Sequence, residues 1–370
     1  MSQGPSQGPL HGLKVVELAG IGPAPFAAML LADLGADVVR VDRPEGSPLA
    51  VDPRFDLLNR GKRSIVADLK TAAGRDLVLA LLDRAELLIE GYRPGVAERL
   101  GVGPSVVQAR NPKLVYGRMT GWGQDGPLAA TAGHDITYLA VSGALHGIGR
   151  ADGPPQVPLN LLGDFGGGAL YLVVGLLAAL RSAAATGIGQ VVDAAVVDGA
   201  AHLTTLFYGL TAAGMWQPAR GTNLLDTGAP FYDVYPAADG EFLAVGALEP
   251  QFYATLIRLL EPGDDLPAQY DRSGWARLRS AFTAAFARRT RAEWIEIFEG
   301  TDACVAPVLS PAEAATHPHL AERKTLTRRD GILQPTAAPR FSETPAAPTG
   351  RPALPGEHTD QILTDWGVTK

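Results

Sequence analysis

Two short stretches carry side chains able to move protons. In "GHDITY", residues 133–138, His134 stands beside Asp135, and in "GDFGGG", residues 163–168, Asp164 precedes three consecutive glycines. Imidazole and carboxylate groups each serve as base in one direction and as conjugate acid in the other. Each also has an ordinary structural role. Asp164 can cap the apolar helix that "ALYLVVGLLAAL" (169–180) predicts, and His134 can be a hydrogen-bonded structural histidine. The glycines supply the functional reading, because bare backbone N–H groups at a helix start can hold a developing oxyanion next to a carboxylate that takes a proton from the adjacent carbon. Gly166, Gly167 and Gly168 are therefore candidate oxyanion donors.

A second group of residues concerns binding. Arg40, Arg43, Arg54, Arg60, Lys62 and Arg63 fall within 24 positions, and "EGYRPGVAERLG" adds Arg93 and Arg99. Guanidinium forks on loops after parallel strands suit phosphate oxygens, so the set reads either as a polyphosphate site or as solvated surface charge. Gly20-Ile21-Gly22 with Asp42 downstream imitates a dinucleotide fingerprint, but Pro25 replaces its third glycine, which favours a structural strand-turn-helix over a nicotinamide site. Cys304, the single cysteine, sits among small apolar residues and reads as a buried packing residue. It offers neither a disulfide nor a thiolate metal cluster, and no metal is expected.

The elements that must position these residues follow from periodicity. "GLKVVELAGIGPAPFAAMLLADLGADVVRVDRPEG" predicts a strand at Lys14–Leu18, a helix at Ala24–Leu34 and a strand at Asp37–Asp42. Strands and helices keep alternating to about residue 130, which predicts a doubly wound parallel sheet. From Gly168 to about Ala213 the pattern predicts long buried helices, the first ending at Gly189, with a strand-like "QVVDAAV" between them. Aromatic and small residues alternate around a D-G turn at 231–248, which predicts a hairpin, and "EPQFYATLIRLL" opens a helix. The expected division is a large α/β domain from 1–224, a smaller α+β domain at 225–310, and a return segment with a Pro-rich extended tail at 311–370 that ends in a short helix from about Glu357.

With 370 residues, 46% of them hydrophobic, and a mean hydropathy of +0.07, the chain has ample core for two or three domains. The net charge of −7, from 32 basic and 39 acidic residues, argues against a nucleic-acid or anionic-membrane binder. "MSQGPSQGPLHG" lacks a signal-peptide pattern, the longest apolar run (169–180) is too short to span a bilayer, and the terminal "VTK" is no peroxisomal address. A cytoplasmic location is expected.

The ordered series "VVELAGIGPAPFAAMLLADLGADVVRVDRPEG", "LNRGKRSIVADLK", "EGYRPGVAERLG", "MTGWGQDGP", "GHDITY", "GDFGGG" and "GQVVDAAVVDG" resembles the family III CoA-transferase superfamily, and within it the α-methylacyl-CoA racemases. The likeness runs over nearly the whole chain. It implies a Rossmann-like large domain in an interlocked homodimer, with His134 and Asp164 as proton carriers and Glu249 of "EPQFY" paired with the histidine. It also implies that Arg43, Ala67, Leu69, Gly91, Arg93, Arg99 and Tyr138 line a CoA groove. The chain departs from the methionine-rich acyl surface of close relatives, since it has only 4 Met and "LTTLFYGLTAAGMW" offers leucine, phenylalanine and Met215.

The resemblance implies a racemase that interconverts 2-methylacyl-CoA enantiomers by two-base proton transfer through an enolate, in branched-chain fatty acid or related lipid metabolism. No cofactor is expected, because CoA is part of the substrate. Two other readings stay open: a CoA transferase in which Asp164 is the acyl-accepting nucleophile, and an acyl-CoA binding protein without catalysis.

Overall fold

β-branched residues between polar flanks form the first strands where their pattern places them. In the computed structural model, which describes residues 8–46, 51–346 and 350–369, β1 (Lys14–Leu18) and β2 (Asp37–Asp42) run parallel, Lys14 opposite Asp37 and Leu18 opposite Val41. The helix between them, α1 (Pro23–Asp33), starts one residue earlier than the apolar period suggests. Pro23 occupies its first position, where a missing N–H costs nothing. Residues 1–7 of the stretch read for a leader (1–12) and the terminal Lys370 lie outside the described residues.

The alternation continues through β3 (Arg63–Val66), α2 (Ala72–Leu82), β4 (Leu87–Glu90), α3 (Val96–Arg99), α4 (Pro104–Arg110), β5 (Val115–Thr120), α5 (Asp135–Val141), α6 (Leu170–Thr186), β6 (Val191–Ala195) and α7 (Val196–Leu203). All six strands are parallel, in the order β3-β2-β1-β4-β5-β6, a Rossmann-like doubly wound sheet. Neighbouring strand residues face opposite layers. Val16, Val39, Leu88 and Tyr116 pack on one side with Leu81, Ile362 and Trp366, while Val15, Val38, Ile89 and Val115 pack on the other with Ala27, Leu31, Leu172 and Leu176. Each fully buried Val, Leu or Ile among them contributes about 1.5–3 kcal/mol of transfer free energy. The order reverses between β1 and β4, and this opens a crevice beyond their carboxyl ends.

The chain forms two compact units, one comprising Met1–Ser142, Pro158–Thr204 and Lys324–Lys370, the other Gly143–Val157 and Thr205–Arg323. The second unit contains α8 (Thr205–Ala212), β7 (Tyr232–Pro236), β8 (Phe242–Gly246), α9 (Pro250–Leu260), α10 (Trp275–Phe286), α11 (Arg291–Phe298), β9 (Val305–Pro307), α12 (Pro311–Ala314) and α13 (Pro318–Glu322). Its antiparallel sheet, ordered β7-β8-β9, covers a core of Phe231, Tyr235, Leu243, Leu256, Phe282, Phe286 and Trp294. Gly240, at φ +80°, turns the expected hairpin. The span 225–310 lies within this unit, which also takes in 143–157, 205–224 and 311–323, so the return to the first unit begins at Lys324 rather than at 311. Arg150 reaches the buried carboxylate of Asp233 at 2.8 Å, and Arg279 binds the same group. The return segment adds a hairpin, β10 (Leu326–Arg329) with β11 (Ile332–Pro335), and α14 (Thr359–Trp366) to the first unit.

The helical stretch differs from its sequence reading in three respects. α6 ends at Gly187, at φ +76°, rather than at Gly189. At Gly189 a Cβ would lie 2.1 Å from the Leu114 carbonyl oxygen, so that glycine admits a close backbone approach instead. A π-helical segment, Leu161–Ala169, runs directly into α6, making one helix of 26 residues. By length and composition that helix could cross a membrane, whereas the run read from sequence stopped short at the glycines the helix absorbs. Its face with Leu172, Leu176 and Ala179 is buried on the sheet, but Leu161, Leu170 and Val174 are exposed, so it is not buried all round.

Where this helix crosses α7, a Cβ on Gly199 would lie 1.8 Å from the Gly167 carbonyl oxygen, and one on Gly167 would lie 2.7 Å from the Ala200 nitrogen. Backbone cannot swing aside as a flexible side chain does. Gly199→Ala is therefore expected to destabilise by about 1–3 kcal/mol or more. A urea titration checks this as a lower midpoint at unchanged slope.

Candidate active site

The crevice at the strand-order reversal is walled by Ile21–Ala24 after β1, Gly91–Pro94 after β4 and Met119–Trp122 at the end of β5. His134, Tyr138 and Asp164 complete a cavity of about 290 Å³. The two proton carriers read from sequence thus share one pocket.

Asp164 is not a helix cap. It lies inside the π-helical segment, which Asn160 precedes, and the wide turn carries its carboxylate to Gly22. A Cβ on Gly22 would stand 3.3 Å from Asp164 Oδ2, and the backbone there is left-handed at φ +73°. The glycine-rich first turn therefore makes room for a carboxylate, and that negative charge would repel a dinucleotide's pyrophosphate. Asp135 holds Asp164 from behind: its Oδ1 accepts the Asp164 N–H at 2.6 Å, and the Gly163 N–H also favours its charged form. A Cβ on Gly163 would come 2.2 Å from that oxygen, which is why glycine precedes the aspartate. Burial first, then the charge of Asp135, push Asp164 up to about 6, against a hydrogen bond from Asn160 and the nearby His134. Burial raises Asp135 as well, and its Oδ2 is shut from solvent without a hydrogen-bond partner.

His134 immediately precedes α5. The Thr137 hydroxyl accepts its backbone N–H at 3.0 Å and donates to its carbonyl at 2.7 Å, which fixes the backbone while the residue stays exposed. Tyr138 packs edge-on against Trp122 with ring centroids 4.7 Å apart.

The expected oxyanion donors are displaced. Gly166, Gly167 and Gly168 are the sixth to eighth residues of the π-helical segment, beyond the unpaired N–H groups of a helix start, and the Phe165 N–H already bonds the Asn160 carbonyl. Their bareness serves packing: a Cβ on Gly168 would touch Val196, Met119 and Pro23.

A second cavity, about 500 Å³, is lined by Arg43, Ala67, Leu69, Tyr92, Val96 and Leu100 among others. Three of the expected groove residues lie here, and Gly91, Arg93 and Tyr138 line the first cavity. Arg99 lines neither. It sits on α3 with its guanidinium against Gly95. Tyr92 borders both cavities, with the Arg43 guanidinium over its ring at 5.6 Å.

Most of the clustered basic residues turn out to be structural. Arg40 pairs with Asp42 at 2.8 Å, Arg60 with Asp33 at 2.6 Å, the fully buried Lys62 with Glu17 at 2.6 Å, and Arg63 with Asp37 at 2.5 Å. Arg54 pairs with Asp52 on the surface. Arg40 and Arg54 pair with acids two residues away, whereas the partners of Arg60, Lys62 and Arg63 lie outside the basic run, on other elements, where nearness in sequence could not reveal them.

Glu249, in the second unit, immediately precedes α9. Its carbonyl accepts the Tyr253 N–H, while its exposed carboxylate makes no capping bond. Cys304, read as buried, is exposed, and Ala303 takes the core position. Partial burial and the charges of Glu249 and Asp302 push its thiol up, away from nucleophile character. Among the described residues no group of three or more His, Cys, Asp or Glu is placed to hold a metal ion. The residue the sequence reading passed over is Asp135, although it adjoins His134.

Comparison with known proteins places this geometry. The model of CoA-transferase family III matches residues 10–359. The chain is 47% identical over 366 residues to α-methylacyl-CoA racemase of Homo sapiens, covering 98% of this chain and 94% of that protein. It is 45% identical to α-methylacyl-CoA racemase of Mus musculus, with the same coverage. Among solved structures, a CAIB/BAIF family protein from Brucella suis superposes with a TM-score of 0.84 at 27% identity, covering 97% of this chain and all of that one.

Proposed function

The chain belongs to CoA-transferase family III, and from that premise we propose that it is an isomerase interconverting (R)- and (S)-2-methylacyl-CoA thioesters, an α-methylacyl-CoA racemase. The observation that carries this reading is the shared pocket of His134 and Asp164, with Asp164 lifted to about 6. Inverting a carbon next to a thioester means removing its hydrogen from one face and returning a proton to the other. Two groups must flank a planar enolate, and each must be able to gain and lose a proton near neutral pH. An aspartate at its ordinary value would be a poor acid for the reverse step, and the burial that lifts it corrects this.

The thioester itself makes the α-hydrogen acidic, so the scheme calls on no cofactor, and the distant nucleotide supplies binding energy for positioning. Glu249 orients His134 and supports its protonated form. It comes from the partner subunit of a homodimer, whose contact would cover the exposed Leu161, Leu170 and Val174.

Solvent deuterium tests the reaction. Either enantiomer incubated in D₂O should become a near-equal mixture carrying label at the α-carbon, and inversion without label would sink the two-base scheme. A transferase would instead form an acyl anhydride on Asp164, which hydroxylamine would trap for mass spectrometry. Arg43→Ala should act mainly on KM, since a contact remote from the α-carbon is made in ground and transition states alike. Arg99→Ala should raise KM less, because Arg99 lies off both cavity walls. Initial rates over a range of acyl-CoA concentrations compare the two.

A further inference from the structure

Beneath the turn that separates the two cavities lies a buried acid that proton transfer does not use. Glu90, the last residue of β4, is fully buried. One carboxylate oxygen accepts the Tyr92 backbone N–H at 2.6 Å, and the other accepts Arg118 Nε at 3.1 Å. Arg118, on β5, also donates to both carboxylate oxygens of Glu98 on α3, at 2.8 and 3.2 Å. The residue held in this way is the one that borders both cavities and stacks beneath Arg43. Gly91 and Arg93, on either side of it, wall the catalytic pocket.

The geometry points to Glu90 as a positioning residue: through the Tyr92 N–H its carboxylate fixes the partition between the reacting carbon's pocket and the groove for the CoA arm, so that its charge governs acyl-CoA affinity rather than proton transfer. This rests on the acyl-CoA reading above. An amide or a protonated acid could not do the same work, because two donors converge on the carboxylate, one on each oxygen.

The charge is held at a cost. Burial outweighs the Tyr92 N–H and Arg118 and pushes Glu90 up to about 7. The groups facing it are Arg118 and Tyr116 from β5, Glu98 from α3 and Tyr92 from its own turn, with Arg43 beyond the tyrosine ring. For an acid raised on folding, the favourable contribution to stability is present below its ordinary value near 4.5 and is lost as pH rises through 7. Removing the charge should therefore not weaken the fold, and Glu98 still neutralises Arg118. Stability and affinity then move independently, which a purely structural acid would not allow.

Glu90→Gln offers one acceptor where the carboxylate offers two. Free CoA binding by calorimetry and racemisation kinetics should show Kd and KM raised about tenfold, with kcat changed less than about threefold. The wild-type KM should climb as pH falls through 7, while the variant's stays flat. The variant's thermal midpoint should be no lower than that of wild type, and its Tyr92 amide should exchange hydrogen faster. Unchanged Kd and KM, or a fall in kcat at constant KM, would overturn the assignment. If both proteins bind CoA equally tightly, the Glu90 role alone falls. If the wild type neither binds CoA nor racemises, the acyl-CoA reading falls and this inference with it.

Discussion

Alanine at His134 or at Asp164 is expected to lower racemisation about 10²–10⁴-fold with a much smaller change in KM, equivalent to roughly 3–5 kcal/mol of barrier. Either variant loses both directions, because the group that abstracts the proton from one enantiomer must supply it to the other. A variant that kept near-normal turnover would remove that residue from the mechanism. The pH dependence carries a sharper test of the pairing. One direction needs ionised Asp164 with protonated His134, and the other needs the reverse arrangement. Both forms hold one proton between the two groups, so their ratio does not change with pH. The kcat/KM profiles for the two enantiomers should therefore superimpose as a single bell, as they must if their ratio is to remain the equilibrium constant. Below about 6, the value that burial gives Asp164, the pair becomes doubly protonated and activity falls. At high pH the last proton leaves and activity falls again. In kcat the two limbs belong to the coupled pair rather than to either residue, while in kcat/KM the acid limb also carries the rise in KM that protonation of Glu90 brings. A profile whose acid limb did not fall at about 6 would remove Asp164 from the titrating pair.

Asp164 and His134 could be read from the sequence because the same residues that define their chemistry also define their local structure. "GDFGGG" set a carboxylate beside bare backbone N–H groups, and "GHD" set an imidazole beside a second carboxylate. β1 and β2 formed at the residues where β-branched runs predicted them, since strands buried on both faces have few alternatives. The oxyanion assignment failed for a physical reason: a glycine run permits either an open helix start or a tight helix crossing, and only the position of Gly199 opposite Gly167 decides between them. The same holds for Gly187 and Gly189. Both are compatible with a helix end, and the approach of the Leu114 carbonyl selects the first.

The basic cluster misled because the partners of its most buried members come from distant segments. Arg60 and Lys62 look like phosphate ligands until Asp33 and Glu17, from α1 and β1, are seen beside them. Asp135 was overlooked for the converse reason. Its role depends on the N–H groups of Gly163 and Asp164, 28 and 29 residues away, and no local pattern encodes such a contact. Glu90 is similar. In the sequence it is the polar end of a strand, and only its burial and its two donors distinguish it.

If Glu249 serves the histidine of the partner subunit, a mixed dimer of one His134→Ala chain and one Glu249→Ala chain should recover about half of wild-type activity, although each parent dimer is crippled. One of its sites would lack both residues, and the other would contain an intact His134, Asp164 and Glu249. Independence of the two centres gives the factor of one half, and coupling between them would move the recovery away from that value without abolishing it. Glu249 meets the requirements for such a role: its carboxylate is exposed, takes no part in capping α9, and stands on an ordered helix start in the second unit. Coexpression under two different affinity tags followed by sequential purification isolates the mixed species. If Glu249 acted within its own chain, each site of the mixed dimer would lack one residue, and activity would not rise above that of the parents. If the purified protein were monomeric at assay concentration, shared-site catalysis would be excluded at once, and Glu249 would have to reach His134 within its own chain or not at all.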